Sequence, residues 1–317
     1  MTPLRLILLS LALVLTAVGD IEPPTIYADF ELKEHGNPDP IYFTIRLDRP
    51  NAPHAVVNFL GLVTGLRSWV EPVTGVPSSE PFYHGLEIPE VDPNREVHFG
   101  SPTNDGFGGP GYVLRDESLD VGDGTYYVYM DNEGKPNTNG SRFFVSLVNQ
   151  QLSDRFTRLG FIENNNPVPG QNSRVNINWL SNVATDTEGR PVNTVTIEDI
   201  QIRGWAPDDG TLPLDTWNLP EVSASEFRIH RNGSNYRLLW SAQPGSAAYY
   251  FGSPDLVNWF PFQGFDPPGS ASLGVDITDD ITNGARGFYR GSAIYYPEWP
   301  AADFDLNHAV LQFNYLD

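Results

Sequence analysis

The chain has 317 residues, longer than one typical domain, and 40% of them are hydrophobic, including 18 Phe, 14 Tyr and 7 Trp. That is enough apolar mass for packed cores and excludes a disordered or fibrous chain. A formal charge of −21 excludes nucleic acid and anionic lipid surfaces as partners, and the absence of cysteine excludes disulfides, thiol chemistry and a lipidated cysteine.

Residues 1–19, "MTPLRLILLSLALVLTAVG", read as an export signal. Arg5 gives a positive start, an uncharged and mostly apolar run covers Leu6–Val18, and Ala17-Val18-Gly19 offers small residues for cleavage. The run is too short to cross a bilayer, so no transmembrane span is expected once it is removed. The mature chain is then expected in the periplasm or outside the cell. Its acidity reads as solubility in a salty exterior, where the Debye length is only ~3–8 Å.

"TIYADFEL" and "IYFTIRL" alternate as strands do, around the turn "HGNPDP". "RPNAPHAVVNFLGLVTG" reads as a helix: Pro53 suits its first turn, Val56, Val57, Phe59, Leu60 and Val63 make an apolar stripe, and Gly65 stops it. Short strands between Gly/Pro turns follow to Phe161. "ENNNPVPGQNSR" reads as a loop, and "TVTIEDIQI" (Thr194–Ile202) as an alternating strand. Residues 205–225 have the Pro, Asp and Gly content of a linker. From residue 226 to 317 the runs "EFRIH", "YRLLW", "AAYYFG", "NWFPF" and "GFYRGSAIYY" recur about every ten residues, the spacing of a small β-sandwich.

Four segments in order carry a family resemblance: "NAPHAVVNFLGL", "FYHGLEIPEVDPNREVHFGSP", "GGPGYVLRDE" and "NTNGSRFF", closed by "GRPVNTVTIEDIQI". Together they resemble the cyclophilin-type peptidyl-prolyl cis–trans isomerases, over residues 24–204. The resemblance implies a mainly β fold, a closed eight-stranded barrel with capping helices, the site on the barrel's outer face, proline-containing polypeptides as partners and no cofactor. The C-terminal piece resembles a β-sandwich module at the ends of secreted bacterial proteins.

In the family an arginine donates to the twisting peptide bond, helped by a glutamine and a Phe/Met pair, while later segments add Gln, Phe, Trp, Leu and His. Aligned without a gap, Glu90 occupies the arginine position. Arg95 and Glu96 stand at the Phe/Met pair, and His98 at the glutamine. Downstream Arg142 replaces the second glutamine, Gln151 the tryptophan and Phe156 the histidine, while Phe144 and Leu152 are kept. The resemblance therefore implies a substrate groove lined by Arg95, His98, Asn132, Arg142, Phe144 and Leu152, with no catalytic residue intact. Isomerisation of exported proteins is expected to be weak or lapsed, with a non-catalytic protein-binding, glycan-binding or scaffold role as the alternative. An ion pair between Glu90 and Arg95 is expected across the former proline pocket.

"DITDDITNG" and "DFDLN" carry oxygen donors without the spacing of a calcium loop, and the six histidines show no metal-ligand spacing. No metal site is assigned. Trp259, Phe260 and Phe262 are read as sandwich core ahead of a sugar-stacking face.

Overall fold

The computed structural model describes residues 25–71, 76–104, 106, 108–117, 124–132, 137–149, 156–207, 226–241, 246–254, 260–265, 272–278 and 288–295. The expected export signal, Gln151, Leu152, Trp259, "DFDLN" and most of the expected linker lie outside them.

Among the described residues up to 207 there are ten strands and two helices. The first hairpin is β1 (Tyr27–Glu34) and β2 (Ile41–Leu47), followed by α1 (Pro53–Thr64) and the small pair β3 (Trp69–Val70) and β4 (Pro77–Ser78). Then come β5 (Glu90–Asp92), β6 (Glu96–Phe99), β7 (Tyr127–Met130), β8 (Phe143–Ser146), β9 (Arg158–Ile162), α2 (Ser173–Leu180) and β10 (Val195–Arg203). Eight of these strands form one antiparallel sheet in the order β10-β1-β2-β9-β7-β8-β6-β5.

That sheet closes on itself. Residues just before β5 bond to its opposite edge, β10, through Gly85 N–H to Ile197 O (2.9 Å), Ile197 N–H to Leu86 O (2.8 Å) and Ile88 N–H to Val195 O (2.8 Å). Closure leaves no open row of backbone donors, the liability of a free sheet edge.

Strand alternation builds the interior. Along β1 the side chains of Ala28, Phe30 and Leu32 are buried and those between them are not, as a period of two requires. Inside, Phe30 stacks on Phe43 with centroids 4.4 Å apart and Phe99 stacks on Phe143 at 5.0 Å, with Phe59 of α1 against Phe30 and Phe143. The helix occurs where the sequence predicts it, with Pro in its first turn and Gly65 at φ 70° ending it. Its buried Asn58 is satisfied: the amide donates to Gly140 O (3.0 Å) and its oxygen accepts from the Tyr112 hydroxyl (2.6 Å).

The loop expected at "ENNNPVPGQNSR" holds over residues 163–172, but its last two residues begin α2, a helix the sequence reading did not include. "SRVNINWL" is poor in strong helix formers, so its local propensity is low. Tertiary contacts supply what propensity lacks. Asn172 caps the first turn by accepting from Val175 N–H (3.1 Å), Asn176 donates to Tyr42 O (2.7 Å), and Ile177 and Leu180 are fully buried in the core.

A buried ion pair braces β9. Arg158 donates to one Asp48 carboxylate oxygen from both Nε and Nη2, each at 2.7 Å, and its guanidinium lies 4.8 Å from the Phe161 ring centroid.

From residue 226 on, β11 (Glu226–Asn232), β12 (Asn235–Ser241) and β15 (Ser272–Asp276) form one three-stranded antiparallel sheet. A second consists of β14 (Phe260–Phe265), β13 (Ser246–Ser253) and β16 (Phe288–Tyr295). The strand β15 is additional to the five runs read from the sequence. Among the described residues no helix is long and apolar enough to cross a membrane.

Two outcomes follow from closure and from the buried pair. A chain of residues 20–204 is expected to melt in one transition, whereas one ending at Phe161 loses β10 and strands both of its partners; thermal melts followed by circular dichroism compare them, and equal melting would place the boundary elsewhere. Replacing Arg158 by Ala leaves Asp48 charged and buried, so urea titration should show a loss of about 3–5 kcal/mol.

Candidate functional site

Four strands bring the candidate residues together by register alone. Glu90 of β5 lies opposite His98 of β6, His98 opposite Phe144 of β8, and Phe144 opposite Tyr129 of β7. The adjacent row, Val91, Val97, Val145 and Val128, points into the core. Because side chains alternate, the Glu90–His98–Phe144–Tyr129 row must lie on the barrel's outer face. This is where the resemblance predicts the groove.

The floor is aromatic. The His98 and Phe144 rings stack with centroids 5.4 Å apart and 26° between planes, and Phe156 meets Phe144 edge-on at 5.3 Å. Tyr129 lies 5.6 Å from Phe144. The resemblance did not single out Tyr129. Its signal was the alternation in "YVYM", which places it on the same face as Asp131 two residues on.

Above that floor lies a network of charge. His98 reaches Asp131 through Nδ1 and Glu96 through Nε2, both at 3.4 Å. Burial alone would push the imidazole pKa down, but the carboxylates of Asp131, Glu96 and Glu90 outweigh it and hold the pKa up at about 10. With both ring nitrogens facing carboxylates, His98 is an imidazolium at neutral pH.

Arg142, only 5% exposed, donates from Nη1 to the Gly106 carbonyl and places Nη2 3.9 Å from Asp131. Backbone pairing sets this up. The ladder of β7 and β8 runs one step further through Asp131 N–H to Arg142 O (2.9 Å), which puts the two side chains side by side. Asp131 therefore bridges both cations, a role the resemblance did not single out. The family's donor set contains no carboxylate, so nothing in the resemblance directs attention to an aspartate.

The expected Glu90–Arg95 pair is corrected. Arg95 lies in the turn before β6, mostly exposed, and its guanidinium binds Asp92 at 3.0 Å. Its backbone N–H also bonds Asp92 O at 2.9 Å, closing the turn. Glu90 stands at the other end of the hairpin, facing His98. The turn geometry brings Arg95 to the acid three residues before it, so it never reaches across the groove.

Asn132 and the "NTNG" loop are anchored away from the floor. Asp116 of "LRDE" accepts from Asn137 N–H (3.0 Å), Asn139 Nδ2 (2.9 Å) and Asn132 Nδ2 (3.4 Å). Burial nevertheless keeps its carboxyl pKa above the ordinary value, against these three hydrogen bonds. Beside it Glu117 accepts from the His54 and Ala55 N–H groups at 2.9 and 2.7 Å, capping α1 from a distant segment. The loop's conformation is thus tied to the helix, and it delivers Arg142 and Phe144 to the site. Gly100, at φ 82°, lets β6 turn tightly beneath the Ser141 carbonyl, where a side chain would collide. Among the described residues no group of three or more His, Asp or Glu could hold a metal ion.

The model of the cyclophilin type peptidyl-prolyl cis-trans isomerase family matches residues 29–202. The chain belongs to this family. It is 36% identical over 157 residues to peptidyl-prolyl cis-trans isomerase A of Mycobacterium tuberculosis, covering 48% of this chain and 81% of that protein. It is 34% identical over 162 residues to peptidyl-prolyl cis-trans isomerase B of Streptomyces anulatus, covering 50% of this chain and 89% of that one. A Cryptosporidium parvum cyclophilin type isomerase structure aligns with TM-score 0.44 and 22% identity, over 56% of this chain and 98% of that chain. The family match ends at residue 202, so it covers the barrel and none of the C-terminal strands.

The raised pKa of His98 has a direct consequence for stability. The folded protein holds this proton more tightly than the unfolded chain, so the stabilisation is complete below the ordinary value of 6.5 and fades as pH rises toward about 10. Between these values unfolding free energy should fall with pH by at most about 1.4 kcal/mol per unit for this one proton. Denaturant titrations of the natural chain and of His98→Gln across that range should differ in slope, the variant being flatter; parallel slopes would show that His98 is neutral in the folded protein.

Proposed function

We propose that this chain is an exported cyclophilin-type protein that binds proline-containing polypeptides and rotates their peptide bonds only weakly. The observation that carries this reading is the pairing of Glu90 with His98 over Phe144, at the positions where the family has its arginine and glutamine beside the proline pocket.

Rotation about a peptide bond faces a barrier of ~18–20 kcal/mol, held up by resonance. A catalyst lowers it by burying the proline and donating a hydrogen bond to the bond as it twists. An ionised carboxylate at residue 90 accepts and cannot donate. Loss of one preorganised donor costs about 10²–10³ in rate. The imidazolium and the Arg142 guanidinium at the floor also reduce the apolar burial of a proline ring, worth about 1.5–3 kcal/mol in an apolar pocket.

Binding without turnover is supported by what remains. Phe144, Tyr129 and Phe156 still pack together as an aromatic floor on the barrel's outer face, Phe144 and Tyr129 nearly covered, and closure of the barrel is independent of the substituted residues. The export signal read at residues 1–19 supports a place in the periplasm or outside the cell, and the C-terminal strands would accompany the barrel as an accessory domain.

A protease-coupled proline-peptide assay on the mature full chain tests the reading. Its kcat/KM is expected at least about 10²-fold below that of an ordinary family member, following the loss of one donor, and a comparable efficiency would overturn it. Glu90→Arg alone is not expected to restore turnover, because the new guanidinium would face the His98 imidazolium across the strands and His98 and Arg142 would still occupy the floor.

A further inference from the structure

We infer that the groove selects polypeptide segments carrying lysine or arginine next to the proline, and that Glu90 reads this positive charge. The inference rests on the peptide-binding reading above and names its substrate class.

The charges of the site divide into two groups. His98 lies between Glu96 and Asp131, and Arg142 lies against Asp131 and the Gly106 carbonyl. All four charged side chains in this group are at least four-fifths buried. They balance one another beneath the surface. Glu90 is different. It is exposed, and no ion pair engages it among the described residues, although its charge reaches His98.

The backbone also presents Glu90 to an incoming chain. Its Oε2 atom lies 4.0 Å from where a side chain on Gly106 would begin, and its Cγ lies 3.3 Å from the corresponding point on Gly189. Gly189 packs against the Glu90 stem, where a side chain would crowd it, and Val91 N–H bonded to Gly189 O (2.8 Å) holds that glycine in place, while Gly106 approaches the carboxylate without a side chain to cover it. A segment laid across the row Glu90–His98–Phe144 meets Glu90 at its exposed end. A cationic side chain gains there, a neutral one does not, and an anionic one meets both Glu90 and the field of a chain of formal charge −21. The family's arginine would set the opposite preference, so the substitution inverts the polarity of the groove while leaving its aromatic floor.

Fluorescence anisotropy with labelled Ala-Ala-Lys-Pro-Phe, Ala-Ala-Ala-Pro-Phe and Ala-Ala-Glu-Pro-Phe on the mature full chain tests this. The expected order is Lys, then Ala, then Glu, spanning on the order of tenfold in Kd, as exposed charge pairs allow. Between about 0.01 and 1 M salt the Debye length falls from ~30 to ~3 Å, and the spread should collapse. It should also shrink to about twofold or less in Glu90→Gln, and persist in Asp39→Asn, which removes the same charge from the exposed turn between β1 and β2. Equal affinity for the three peptides, a spread that Glu90→Gln retains, or one that Asp39→Asn abolishes equally overturns the inference. Failure to bind any of the three overturns it together with the peptide-binding reading. Turnover near that of an ordinary family member with the charge order intact sinks only the weak-activity reading.

Discussion

The antiparallel register that ties β6 to β5 on one side and β8 on the other governs everything at the site. It places Val97 between Val91 and Val145 inside the barrel, and His98 between Glu90 and Phe144 outside it. A slip of one residue would exchange these rows, burying an imidazolium and a carboxylate in an aromatic core. The stacked rings of Phe30, Phe43, Phe99 and Phe143 make that exchange prohibitive, so the core enforces the geometry of a surface it never touches.

The second support is polar. Asp116 and Glu117, adjacent in the chain, bind different elements: Asp116 collects the asparagines of the "NTNG" loop, and Glu117 caps α1. One dipeptide therefore couples the loop that launches β8 to the helix that fills the core. Substitutions at the groove leave this coupling intact. Scaffold and outer-face row therefore rest on separate sets of contacts.

On the outer-face row the charges form a network of their own. Asp131 and Glu96 hold His98 charged against Phe144, and Asp131 also steadies Arg142. The network satisfies itself, and buried ionic groups that are mutually satisfied resist rearrangement because removing one partner leaves the other uncompensated. Any single substitution among His98, Asp131 and Arg142 accordingly breaks a neighbour's partner.

By itself the sequence determined the mainly β class, the first hairpin, α1 from Pro53 to its stop at Gly65, and the closing strand. Those features depend on periodicity, turn residues and local order along the chain, all of which are visible in one dimension. It did not reveal α2, whose residues favour helix only once Asn176 meets Tyr42 and Ile177 enters the core. It also misplaced Arg95, because an eye following the alignment sees two opposite charges flanking a turn, while the turn itself draws Arg95 to Asp92. Asp131 as the bridge between His98 and Arg142 belongs wholly to the tertiary structure. Its partners lie 33 and 11 residues away in the chain, and only the pairing of β6, β7 and β8 brings their charges within reach of one carboxylate.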